Sequence, residues 1–99
     1  MKKTILLTVT VMMAAPMGHA NAIERACNQS DQRAATPQLC GCIGTAAQVT
    51  LNRSDQRQVA GFFRNPQRAQ DMRMSDRPRD EALWDRYRAF GNAAKAMCG

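Results

Sequence analysis

The sequence predicts an all-α domain, a small bundle of four to five short helices stapled by two disulfides. Three observations carry that prediction. Apolar residues recur every three or four positions along most of the chain, with no strand-like alternation, internal repeat or low-complexity tract. The 99 residues include four cysteines, an even count that fits a disulfide framework in an oxidising compartment. Two of them, Cys40 and Cys42, sit on one segment that reads as a helix. At about 100° per residue they point roughly 200° apart, a poor geometry for bonding each other. Each is then expected to reach a different partner, Cys27 before this helix or Cys98 near the end of the chain. Cys27–Cys42 with Cys40–Cys98 satisfies this, and so does Cys27–Cys40 with Cys42–Cys98; both remain open.

The organisation is a leader followed by one domain. Lys2 and Lys3 form a positive start, residues 5–15 are an apolar run, and Pro16 and Gly18 break it. That run is too short to span a bilayer, which takes about 20 residues. Gly18-His19-Ala20 and the overlapping Ala20-Asn21-Ala22 both present small residues one and three positions before a cut. Residues 1–20 therefore read as a secretory signal peptide, cut after Ala20 or Ala22, with residues 21–99 as a single helical domain. The expected location is periplasmic or secreted. No later run is apolar enough for a membrane helix, and the processed chain is expected to be soluble. A domain this small gains little net stability from its core alone, which is the physical reason to expect staples.

The elements follow in order. Ile23, Ala26 and Cys27 share a face at i, i+3, i+4 spacing and predict a short helix, followed by a polar loop over 28–35. Thr36-Pro37 is a helix start, with threonine as cap and proline at the first helical position. The helix runs to about residue 51. Leu39, Ile43, Ala46 and Thr50 lie along the middle of its apolar stripe, Cys42 and Val49 on one flank, Cys40, Ala47 and Leu51 on the other. Gly41 and Gly44 each cost it about 1 kcal/mol relative to alanine, and we read them as points of close approach. Ser54 is expected to cap the next helix, with Asp55 in its first turn and Val59, Phe62 and Phe63 as its buried face. Asn65-Pro66 ends that helix and opens another over 67–74, with Ala69 and Met72 inward. The longest helix is expected over 79–97, with Leu83, Tyr87, Phe90, Ala94 and Met97 as a seam and Trp84 beside it.

Charge is unevenly spread. Of the 14 lysines and arginines, Lys2 and Lys3 lie in the leader, leaving 12 against 8 acids and a net charge of +4. The excess lies in one stretch: Arg53, Arg57, Arg64, Arg68, Arg73, Arg77 and Arg79 face only Asp55, Asp71 and Asp76. These seven arginines are the candidate face for an anionic partner, an acidic protein or an anionic surface. Nucleic acid is disfavoured, because Phe62 and Phe63, the nearby aromatics that would stack on bases, are expected in the core.

No catalytic residue is assigned. The single histidine, His19, falls in the leader, which removes the commonest general base and metal ligand. There is no phosphate-binding glycine loop, CxxC pair or haem motif. No cofactor and no metal site is expected, and the chain reads as non-enzymatic. Cys40 and Cys42 as a thiol-redox pair or copper(I) site, with Met72 or Met74 as thioether ligands, is the alternative. Glu81 and Asp85, one helical turn apart, more ordinarily pair with arginines than hold a cation.

Several stretches together resemble a known group: Ile23-Glu24-Arg25-Ala26-Cys27, Leu39-Cys40-Gly41-Cys42-Ile43, residues 51–57, Phe62-Phe63 with Arg68-Ala69-Gln70, Ser75-Asp76-Arg77, and residues 84–91. They are similar to short secreted four-cysteine proteins of alphaproteobacteria, which often carry the automated label "arginine transporter". The resemblance implies an accessory role in basic amino-acid transport and assigns no functional residue. A permease needs membrane spans and a two-lobed solute-binding protein needs a far longer chain.

Overall fold

The computed structural model describes residues 20–31 and 33–99. The signal-peptide reading lies outside these, apart from its last residue. The described residues form five helices and no strand: α1 (Ala22–Asn28), α2 (Pro37–Thr50), α3 (Arg53–Arg64), α4 (Gln67–Met74) and α5 (Pro78–Cys98). The expected all-α bundle with two disulfides is what the chain adopts.

The starts are set by local chemistry. Asn21 caps α1, its side chain accepting from Glu24 N–H at 2.9 Å. Thr36 caps α2 and accepts from Leu39 N–H at 3.1 Å, with Pro37 at the first helical position. The cap of α3 is Asn52, which accepts from Asp55 N–H at 2.8 Å, and not Ser54. Asn and Ser are near-equal caps, so composition alone does not choose between them. The earlier start is accompanied by contacts of Gln56 with residues five and eight positions back. Its side-chain amide donates to Leu51 O at 3.1 Å and Gln48 Oε1 at 3.3 Å. These bonds tie the first turn of α3 to the end of α2 and leave only Leu51 and Asn52 between the helices. α5 begins one residue earlier than expected, at Pro78.

The helix neighbours close a circuit: α2 packs on α1, α1 on α3, α3 on α4, α4 on α5, and α5 back on α2. Ile23, Ala46, Ala47, Leu51, Val59, Ala60, Phe62, Leu83 and Phe90 fill the middle. Along α5 the seam holds at Leu83 and Phe90, with Tyr87 and Ala94 partly buried, and opens at Met97, which is 47% exposed. Phe62 meets Tyr87 edge-on at 5.3 Å between ring centres, and Trp84 lies against Tyr87 at 5.2 Å. Trp84 thus joins the aromatic cluster between α3 and α5.

The buried face of α2 is rotated toward the Cys40 flank. Cys40, Gly44, Ala46 and Ala47 are buried, whereas Val49 on the opposite flank is 70% exposed. The cause is α1, which docks on the glycine side. A Cβ at Gly44 would stand 3.0 Å from Glu24 Cβ and 3.4 Å from Asn21 Oδ1; one at Gly41 would sit at an ordinary 3.6 Å from Glu24 Oε1. Asn21 Nδ2 also donates to Gly44 O at 2.7 Å. Docking there brings Cys27 to Cys40, and α5 closes the other flank through Cys42–Cys98. The two glycines should therefore respond oppositely to alanine. Gly41→Ala is expected to gain up to about 1 kcal/mol from helix propensity. Gly44→Ala is expected to lose about 1 kcal/mol net, because overpacking costs more than propensity returns. Urea titrations of both variants check this, and a stabilised Gly44→Ala would contradict the close docking.

Inside the circuit sits one carboxylate. Asp55 is buried, its carboxylate held by Arg86 from α5 in two bonds, Nε to Oδ2 at 2.7 Å and Nη2 to Oδ1 at 2.9 Å. These hydrogen bonds hold the Asp55 carboxyl below its ordinary range, outweighing the opposing effect of burial.

Candidate anion-binding site

Where α1 begins, α2 ends and α3 begins, the chain encloses an open cavity of about 540 Å³. Among the described residues its charged lining is Arg25 from α1 with Arg53 and Arg57 from α3, with no carboxylate. Gln48, Asn52 and Gln56 supply amides. Arg53 and Arg57 are one helical turn apart and so project from one side of α3. Arg25 arrives because α1 docks on α2 through Glu24, which turns the next residue away from the glycine face. The end of α2 and the start of α3 meet here, so their opposed helix dipoles largely offset each other. The three guanidiniums set the sign of the field. Guanidinium is charged at every physiological pH and matches the planar oxygens of carboxylate and phosphate with two parallel bonds.

The other arginines of the basic stretch go elsewhere. Arg68 and Arg77 line a separate cavity of about 310 Å³ together with Asp71 and Asp80, where acids offset them. Arg68 also lies across the backbone of α3, its Nη1 2.8 Å from where a Cβ on Gly61 would stand. Arg64, Arg73 and Arg79 are exposed at separate points on α3, α4 and the start of α5. At this cavity the fold therefore gathers two of the seven arginines and adds Arg25. Segment-by-segment charge counting passes over Arg25 because Glu24 beside it cancels it in the sum.

All four cysteines are bonded, Cys27 to Cys40 and Cys42 to Cys98. Met72 packs against the core and Met74 is 82% exposed. Glu81 and Asp85 are exposed, and the ion pair found among the described residues is Asp55–Arg86. Among the described residues no group of three or more histidine, cysteine or acidic side chains is placed to hold a metal ion, and no helix is long and apolar enough to cross a membrane. Comparison with protein-family models, with curated proteins and with solved structures finds no match, so the site stands on its own geometry.

Proposed function

We propose that this is a small exported, non-enzymatic protein that binds an anionic group of a partner, a phosphate or carboxylate, in the cavity formed by Arg25, Arg53 and Arg57. The observation that supports this reading is three guanidiniums on one cavity without a carboxylate among them. Like charges gathered on a concave wall repel one another, and an anion between them relieves that repulsion. The Cys27–Cys40 bridge holds α1 against α2, two of the wall's three helices, before the ligand arrives, which lowers the ordering cost of binding.

The remaining readings meet physical objections. Free arginine has to place a third-party guanidinium among three others, so a cavity of this charge disfavours a basic amino-acid ligand. A redox pair made of Cys40 and Cys42 would have to bond to each other, and they are bonded to Cys27 and Cys98 instead; copper(I) needs a free thiolate, and neither is free.

The test is calorimetric titration of the oxidised protein with inorganic phosphate at low ionic strength. Binding is expected to weaken steadily as salt rises. Arg53→Gln with Arg57→Gln should weaken it at least about tenfold, since each charge-assisted bond contributes about 1.5–3 kcal/mol. Arg73→Gln with Arg79→Gln should leave it unchanged. Equal loss in both pairs would reduce the site to diffuse surface charge, and no phosphate heat in the parent protein would remove it.

A further inference from the structure

We infer that the chain is processed between Ala20 and Asn21, not after Ala22, and that this cut releases Arg25 into the arginine-lined cavity. The second half of this inference rests on the anion-binding reading above; the first does not.

The argument lies in what each residue gives to the fold. Asn21 makes three bonds, all from atoms on the far side of its own backbone nitrogen. Its Oδ1 accepts from Glu24 N–H at 2.9 Å, its carbonyl accepts from Arg25 N–H at 3.0 Å, and its Nδ2 donates to Gly44 O at 2.7 Å. Hydrolysis of the Ala20–Asn21 amide leaves all three intact. Hydrolysis two residues later removes all three together with the cap of α1. It would also make Ile23, whose side chain is fully buried, the charged end of the chain.

Among the described residues Ala20 gives the fold one hydrogen bond, its carbonyl accepting from Arg25 Nη1. Ala20 and Arg25 both line the cavity. Water adds across the amide: hydroxyl to the Ala20 carbonyl carbon and hydrogen to the Asn21 nitrogen. A peptidase that reads small side chains one and three positions before the cut supplies the catalysis, and Ala20 and Gly18 stand there. Ala20 then leaves with the leader. Arg25 loses its carbonyl partner, and an ammonium forms on Asn21 at the cavity wall, largely protonated near neutral pH. The cavity becomes more positive at the moment the leader goes.

Export of the full-length chain by a bacterium, followed by intact-mass measurement and N-terminal sequencing, tests the first half. A product beginning at Asn21 is expected; one beginning at Ile23 overturns the inference. Gly18→Leu blocks the first cut and leaves the second open. Its product, beginning at Ile23, should melt about 10 °C lower than the parent, from loss of the cap and its tie to α2. An equal melting temperature overturns the structural argument. The second half is read from Arg25→Gln in the processed protein, expected to weaken inorganic phosphate binding about tenfold. If the product begins at Asn21 and parent and variant bind phosphate equally, the release of Arg25 falls and the processing site stands. If the parent binds no phosphate, the anion-binding reading falls with it.

Discussion

Replacing Cys42 and Cys98 together by alanine should lower the free energy of unfolding by about 4 kcal/mol. Replacing Cys27 and Cys40 should cost about 3 kcal/mol in the chain-entropy account, in which longer loops lose more freedom when closed. The bridges span 56 and 13 residues. Domains of this size have only about 5–15 kcal/mol in total, so removing both bridges should leave the chain unfolded at 37 °C. Urea titration followed by circular dichroism, on oxidised parent and on each double variant, gives the three numbers. Beyond its effect on the unfolded chain, the second bridge has a local effect on the native one: it pins the end of α5, where the seam opens at Met97. Helical signal from α5 should therefore fray first in the Cys42→Ala, Cys98→Ala protein. A parent that keeps its melting temperature under strong reductant would contradict the staple argument at its root.

The second large effect is expected at Asp55. Arg86→Ala strands a buried carboxylate whose side chain is only 3% exposed, at a cost of about 3 kcal/mol, the lower end for such losses because Arg86 itself is 43% exposed. The pH dependence carries the diagnostic sign. The folded carboxyl titrates below its ordinary value, so its contribution is present above the unfolded value, about pH 4, and is lost as pH falls through the lower folded value. Parent protein should lose stability through this group as pH falls below about 4. In Arg86→Ala the carboxylate is buried without a partner and is expected to titrate high, so acidification should no longer cost stability at this position. Urea midpoints at pH 6, 4 and 3 separate the two slopes. Parallel slopes would mean the pair contributes nothing to folding.

Asp55 also marks where sequence reasoning stopped. An acidic residue two positions into a helix fits the macrodipole without further partners, and nothing adjacent points to Arg86, 31 residues away. Gln56 escaped for a different reason: its partner Leu51 O lies only five residues back, but it is a carbonyl left needy only by the break between α2 and α3. By contrast, the helices announced themselves. Thr36-Pro37, Asn65-Pro66 and the seam on α5 are local signals, and local signals survive folding. The disulfide pairing was closer to legible than it first looked. Gly44 lies about 40° from Cys40 around α2 and far from Cys42, so the flank open to a closely docked helix is the Cys40 flank. The helix near enough to dock there carries Cys27. The cavity was the least legible part, because Arg25 and Arg57 meet only through the contact of α1 with α3.

The placement of both bridges on one helix has a consequence for survival among peptidases. The backbone from Cys42 to Cys98, closed by its sulfurs, is a single macrocycle holding α3, α4 and α5 entirely within it. A nick in the exposed turn at Asp76 or Arg77 opens that ring without detaching any fragment. Such a molecule would keep its mass on a non-reducing gel and fall into two pieces only when the sulfurs are reduced.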